Sequence, residues 1–318
     1  MKIMIAGGTG FIGQALIKKL LLKGYKIVVI GRSEKKIKET FKNEITAVSW
    51  DNFANSENII SQLQNTDYVI NLAGANIAHG RWTEKRKSEI INSRVKTTTI
   101  IVKRCLESKN SNIGLINANG IGVYGYQSFL KNGMPPALTE NDDFIQGVTK
   151  SNFLKKVGLL WDEPLKKAEE QCLRVIKLRF APVLSKKGGV LPRLLFSFKW
   201  GLGAKLSNGH QPFSWISIDD AISAIIFLME NNFSGGRVNL VSPQTVTQYQ
   251  FAKTLGKVLR RPTVITLPAS LIKLVLGEMG EALLLQGQHV FPKVLLDQGF
   301  IFQYSNLATA LKHILKPS

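Results

Sequence analysis

Close to its start the chain runs Gly7-Gly8-Thr9-Gly10-Phe11-Ile12-Gly13. Before this lies a strand-length apolar run, Lys2 to Ala6. After it, Gln14 to Gly24 carries Leu16, Leu20 and Leu21 on one helical face. A glycine-rich turn between a buried strand and a helix constrains the fold more than any other stretch, because it predicts the first unit of a parallel sheet and a seat for a diphosphate. Gly7 permits the tight turn, Gly10 lets backbone approach the anion, and Gly13 lets helix and strand pack closely. Phe11 and Ile12 belong to the same cradle. The helix N-terminus behind it offers unpaired N–H groups and about half a positive charge.

A second apolar run, Tyr25 to Ile30, ends in Gly31-Arg32-Ser33, roughly twenty residues after the glycine loop. A carboxylate at this point would bond the ribose 2′-hydroxyl of NAD, whereas an arginine suits the 2′-phosphate of NADP. Arg32, Ser33 and Lys36 can together grip a phosphate, and no carboxylate stands at the strand end. NADP(H) is therefore expected over NAD. Ile45 to Trp50 reads as a third strand followed by Asp51. Asp67 to Ala75 reads as a fourth, whose Leu72-Ala73-Gly74 end lets backbone lie beside a cofactor. Asp51, Leu72, Ala73 and Gly74 complete the expected cofactor set.

Helical and strand patterns keep alternating. Thr83 to Ser108 is amphipathic, with Ile90, Ile91, Val95, Ile101, Val102 and Cys105 on one face. Ile113 to Asn119 is a fifth strand, Leu154 to Gln171 is helical despite Pro164, and Leu173 to Arg179 is a sixth strand. The alternation predicts an α/β fold, a Rossmann-like doubly wound parallel sheet, with a smaller α+β C-terminal lobe. Beyond Pro182 glycines punctuate a loop-rich region. The expected division is residues 1–182 for nucleotide binding, with about 210–242 returning to that domain, and 183–318 for a lobe over the strand ends. Two or three further helices are expected in the closing stretch.

Composition narrows the function classes. Of 318 residues 44% are apolar, as in a globular protein, and two cysteines give no disulfide framework, which fits a cytoplasmic setting. The four histidines have no metal-ligand spacing, so no metal is expected. Gly7 to Gly10 interrupts the apolar start too early for a secretion signal. Lys273, Glu278 and Glu281 break the longest later apolar stretch, so no membrane span is expected. The formal charge of +20 comes from dispersed lysines without interleaved aromatics, which predicts no specific nucleic-acid partner. A homodimer is left open.

These residues together resemble the extended short-chain dehydrogenase/reductase superfamily, through GGTGFIG, the NLAGA strand end, Val123-Tyr124-Gly125 and Ile216-Ser-Ile-Asp219-Asp220. The chain is similar to an atypical epimerase-family branch through Leu138-Thr-Glu140, Gln211-Pro-Phe-Ser-Trp215, Asn239-Leu-Val-Ser-Pro243, Arg261-Pro262 and Gly299-Phe300. The resemblance implies a catalytic Ser with a Tyr-x-x-x-Lys pair. Here Leu154 and Gly158 stand in the expected Tyr and Lys places, and Asn117-Ala-Asn119-Gly120 carries no hydroxyl.

Tyr124 and Asn119 are the remaining catalytic candidates. The first is a phenol whose pKa Lys155 or Lys156 could lower, set against a packing role. The second is an amide that could polarise a carbonyl, set against a turn role. Trp82, Arg94 and Trp215 are the substrate-side candidates, with Arg94 suited to a carboxylate or phosphate. Position 217, commonly His in the branch, is Ser217. Phe213 stands where nucleotide-sugar binders often have Arg. The expected function is NADP(H)-dependent oxidoreductase or epimerase-like chemistry on a small polar substrate. The alternative is a non-catalytic NADP(H)-binding redox sensor or regulator.

Overall fold

Alternation along the first strand sets the layers. In β1 (Lys2–Ala6) successive side chains point to opposite faces, so Ile3 and Ile5 join one apolar cluster and Met4 and Ala6 another. β2 (Lys26–Gly31) repeats the division, with Ile27 and Val29 against Val28 and Ile30. Strands buried on both faces need helices on both. The computed structural model describes residues 1–42, 44–127, 133–142 and 152–316. In it α1 (Phe11–Leu22) covers the first face through Leu16, Ile17 and Leu20, beside the helix Ile218–Glu230; α2 (Glu34–Phe41) adds Ile37 to the same cluster. The second face is covered by α3 (Trp50–Asn55), α4 (Glu57–Gln64), α5 (Glu84–Glu107) and α6 (Phe153–Glu170).

β3 (Thr46–Ser49), β4 (Tyr68–Asn71), β5 (Gly114–Gly120), β6 (Arg174–Phe180) and a last strand, Gly236–Leu240, complete a seven-stranded sheet. Its order is last strand, β6, β5, β4, β1, β2, β3, and every pairing is parallel. The chain steps outward from β1 to β3, then returns to β4 on the other side of β1. That reversal opens a crevice at the carboxyl ends of β1 and β4, where the glycine loop and Gly74 emerge.

Two local expectations change. The third strand stops at Ser49 because the Ser49 hydroxyl accepts the Asn52 N–H at 3.2 Å and caps α3, so Trp50 and Asp51 are helical. α6, as expected, runs through Pro164 without a break. Beyond β6 the glycine-rich region is more ordered than its composition suggests. Val183–Ser185 pairs with Ile216–Ser217 and with Gly188–Gly189, and Leu191–Lys199 is a helix. Leu191, Phe198, Trp215, Phe251, Leu255, Leu307 and Leu311 form a separate core there. The closing stretch holds the helices Ala269–Gly280, Lys293–Asp297 and Leu307–Leu315, with a π-helical turn at Glu281–Leu285.

Candidate functional site

The glycine loop is a cradle that side chains would fill. Gly7 has φ +78°, and a Cβ there would meet the Leu72 and Ala73 backbone at 2.7–2.8 Å. A Cβ on Gly13 would lie 2.5 Å from the Gly7 carbonyl oxygen, so no larger residue lets α1 start this close to β1. Gly10 is the N-cap of α1. No side chain caps that terminus and no acidic residue occupies its first turn, so its N–H groups and positive end stay available to an anion. Across the crevice the buried Asn71 side chain accepts the Ala73 N–H at 3.1 Å and donates to Asn117 Oδ1 at 2.7 Å. This ties the Leu72–Gly74 backbone to the end of β5.

Gly7, Gly10, Phe11, Ile12, Gly13, Leu72 and Gly74 all line one cleft of about 620 Å³. Ala73 contributes backbone beside it. Arg32, Ser33, Lys36 and Asp51 lie outside that lining, exposed at the carboxyl ends of β2 and β3 on the same edge of the sheet. The register Gly31 opposite Ser49 places Arg32 next to the start of α3. Ser33 caps α2, its hydroxyl accepting the Lys36 N–H at 3.3 Å. Asp51 accepts from Asn55 Nδ2 at 2.9 Å. The expectation of a carboxylate-free strand end needs correcting: Glu34 also stands here. Its Oε1 is held by the Ser49 N–H at 2.9 Å and Asn52 Nδ2 at 3.0 Å, which turns it toward β3.

The far half of the cleft holds the positions of the missing trio. Leu154 and Gly158 both line it, one helical turn apart on α6, as do Asn119 and Gly120 from the end of β5. Among the described residues lining the cleft, Arg94 is the only ionisable side chain. Asn119 is 4% exposed. Its Nδ2 donates to Gly158 O and to Asp162 Oδ1, both at 2.9 Å, and its Oδ1 accepts the Gly120 N–H at 2.7 Å. Both amide hydrogens are thus engaged inside the protein, which corrects the expectation of a free carbonyl-polarising donor. Ser214 also lines the cleft, with its hydroxyl donating to Gln288 O at 2.8 Å.

Tyr124 is not in the cleft lining. Its ring is fully buried, its hydroxyl lies 2.8 Å from Thr139 O and 2.9 Å from Asn239 Oδ1, and the Arg179 guanidinium lies 4.5 Å from its centroid. Burial raises the phenol pKa, opposed by Arg179 and Asn239. The expected lowering by Lys155 or Lys156 is not what acts on it, so the proton-transfer role has no geometric support.

Trp82 and Trp215 also sit behind the cleft wall rather than in it. Trp82 packs edge-on against Phe153 at 4.6 Å and donates its indole N–H to Ile77 O at 2.8 Å. Trp215 is fully buried in the C-terminal core. Arg94, by contrast, reaches the cleft from α5. It is 8% exposed, its Nη1 donates to Ala75 O and Ile90 O, both at 3.0 Å, and its Cζ lies 4.6 Å from the Trp161 ring centroid. Desolvation, with the like charge of Arg86, brings its pKa down to about 10. Trp161 also lines the cleft and was not among the expected site residues. Its signal was the spacing Leu154, Val157, Gly158, Trp161, one face of α6 that lines the cleft throughout.

Among the described residues no His/Cys/Asp/Glu group could hold a metal, and no helix is long and apolar enough to cross a membrane. Cys105 is buried and Cys172 exposed, both free thiols.

Residues 3–241 match the model of the NAD dependent epimerase/dehydratase family, and residues 267–314 match a domain of unknown function, DUF1731. The chain is 32% identical over 315 residues to the epimerase family protein YfhF of Bacillus subtilis, covering 99% of this chain and 98% of that one. It is 30% identical over 317 residues to the human epimerase family protein SDR39U1, covering 99% and 100%. The crystal structure of that human protein (isoform 2) with NADPH matches with a TM-score of 0.83 at 28% identity over 99% of both chains. A UDP-glucuronic acid 4-epimerase from Bacillus cereus in complex with NAD matches with a TM-score of 0.72 at 17% identity over 98% and 96%, a likeness of fold alone.

Proposed function

Because the chain belongs to the NAD dependent epimerase/dehydratase family, we propose that it binds NADP(H) and exchanges hydride with a small polar substrate, without the usual Ser, Tyr and Lys. One observation carries this: an intact glycine cradle opens into a cleft that continues past the end of β5 to α6 and holds a single ionisable group, Arg94, among its described lining. The Gly7–Gly13 loop and the α1 N-terminus would hold the diphosphate. Arg32, Ser33 and Lys36, free of any ion pair among the described residues, would hold the 2′-phosphate. The human relative crystallised with NADPH supports the same cofactor. When bound, the nicotinamide supplies a hydride donor or acceptor.

This chain's own residues would enclose the reacting carbon. Leu154, Val157 and Trp161 present apolar surface, and Asn119 braces the end of β5 against α6 through Gly158 and Asp162. No described cleft-lining side chain is a proton donor of ordinary acidity, so the oxygen's proton comes from water or from the substrate. A cytoplasmic setting accords with the exposed thiol of Cys172. The same lack of an acid supports a second proposal, a sensor that reports the NADP⁺/NADPH ratio through differential binding.

The test is a fluorescence titration with NADPH and NADH, followed by nicotinamide absorbance in the presence of carbonyl and sugar-nucleotide panels. Tight NADPH binding with substrate-dependent oxidation is the expected result. Binding without oxidation, together with different protease sensitivity in NADP⁺ and NADPH, selects the sensor. Absence of NADPH binding overturns both.

A further inference from the structure

Among the described residues, Arg94 is a buried cation without a counter-ion. A guanidinium taken out of water is costly unless an anion or a full set of acceptors compensates it. Here the compensation is partial. Nη1 has two backbone carbonyls, Nε is buried with no hydrogen-bond partner, and Nη2 bonds no described residue. No carboxylate pairs with it among the described residues, and the charge acting on it is a like one, Arg86, whose own partner is Glu89 at 2.6 Å. The group is nevertheless held in place. Trp161 stacks beneath it, and Gly74 passes so near that a Cβ there would lie 3.0 Å from Cζ. A rigid, desolvated and incompletely satisfied cation at a cleft wall is what an anion-binding subsite requires.

We propose that Arg94 anchors a carboxylate and that the ligand of this cleft is a small monocarboxylate whose otherwise apolar body carries the carbonyl or hydroxyl that exchanges hydride. This names the substrate class for the hydride-transfer reading and rests on it. Charge balance selects a monoanion, since no second ionisable group lines the cleft among the described residues. A phosphate dianion finds only one cation among the described lining, which leaves half of its charge unpaired. The apolar body follows from the walls beside Arg94: Ile77, Leu154, Val157, Trp161, Ala282 and Leu283.

The experiment uses the full chain with and without NADPH. The probes are straight-chain carboxylates from acetate to octanoate, the methyl esters of the same acids, and inorganic phosphate, read by calorimetry and Trp fluorescence. Affinity should rise with chain length, and each ester should bind roughly tenfold or more weakly than its acid. Arg94→Met should lose the acid–ester difference and keep NADPH affinity within about twofold; Arg94→Lys should retain part of the difference. If Arg94→Met does not fold, the acid–ester comparison on the unsubstituted protein decides the matter.

Equal binding of acid and ester, no binding of any carboxylate, or phosphate binding more tightly than octanoate each overturns the proposal. So does loss of NADPH affinity in a folded Arg94→Met, which would make Arg94 a cofactor anchor. Failure of the NADPH reading is seen separately, as carboxylate binding that persists in a protein with no affinity for NADPH.

Discussion

The Nδ2 of Asn119 donates to Oδ1 of Asp162 at 2.9 Å, and this bond joins the end of the fifth strand to the helix that should carry the catalytic pair. Asp162 is held there against its own desolvation. Burial raises its pKa, and the Asn119 bond works in the opposite direction. Asn119→Ala leaves Gly158 O and Asp162 without their donor, so it should lower stability by about 1–3 kcal/mol in urea unfolding. Asp162→Asn keeps an acceptor and removes the charge. A carboxylate with a raised folded pKa loses stability as pH rises from its unfolded value through its folded one, so Asp162→Asn should match or exceed the parent at neutral pH. An Asn119→Ala protein as stable as the parent would show that the bond braces nothing.

Tyr124→Phe distinguishes packing from proton transfer. The hydroxyl that it removes serves Thr139 O and Asn239 Oδ1 in a fully buried setting. Stability should fall by about 1–3 kcal/mol. NADPH affinity, and turnover on any substrate found, should stay unchanged, because the phenol does not line the cleft. A stable Tyr124→Phe variant without turnover would restore the phenol as the acid.

The cofactor half was legible because its constraints are local. Gly10 and Gly13 must be small where their backbone meets that of Gly7 and Gly8 a few residues away, Gly7 turns the chain with φ +78°, and alternating Ile3, Met4, Ile5 and Ala6 announce a strand buried on both faces. The substrate half was less legible because its contacts are long-range. That Asn119 is tied to Gly158 and Asp162, and that Tyr124 faces Asn239, depends on how β5, α6 and the last strand pack, which no spacing encodes. Arg94 lay between the two cases. Its residue type suggested an anion, but a helix-surface ion pair was an equal reading until the fold placed it beside Gly74 and Trp161 with no carboxylate paired to it among the described residues. Glu34 was not legible because it sits three residues past the strand, and only the β2–β3 register brings it to Ser49.

Arg32→Asp tests the choice of cofactor. Arg32 is exposed and stands at the carboxyl end of β2, so its replacement should leave folding intact. Affinity for NADPH should fall by about tenfold or more while that for NADH holds or rises, because a carboxylate repels the 2′-phosphate and accepts from a ribose 2′-hydroxyl. Paired titrations by nicotinamide fluorescence measure this. Unchanged NADPH affinity would remove Arg32 from the site.

Gly10→Ala separates the cradle's two duties. With φ −76° the position tolerates a side chain conformationally, and the nearest atom to an added Cβ is Gly7 O at 3.1 Å. The variant should therefore fold with a melting temperature near the parent's. The methyl group, however, stands where the diphosphate must approach backbone, so NADPH affinity should drop by roughly tenfold or more. Gly13→Ala, with its Cβ 2.5 Å from Gly7 O, should instead lose stability as well. A Gly10→Ala protein that binds NADPH normally would move the diphosphate away from this loop.

The pH dependence of stability should carry a small acid-side signature from Glu230. Its Oε1 accepts from Lys23 Nζ at 2.8 Å and from the Tyr25 hydroxyl at 2.6 Å, joining the end of α1 to the end of the helix Ile218–Glu230. The Lys23 bond, then the Tyr25 bond, lowers the carboxyl pKa, and the same carboxylate pushes the Tyr25 phenol up to about 12. A depressed folded pKa gives stability that is fully present above the unfolded value of 4.5 and is lost as pH falls through the folded one. Because Lys23 and Glu230 are 45% and 33% exposed, solvent screening limits the pair to about 0.2–1 kcal/mol. Glu230→Gln should be less stable than the parent by no more than that at neutral pH. The gap should narrow in high salt and close in acid, as followed by urea midpoints across the pH range. A gap that widens as pH falls would mean that Glu230 acts through packing rather than charge.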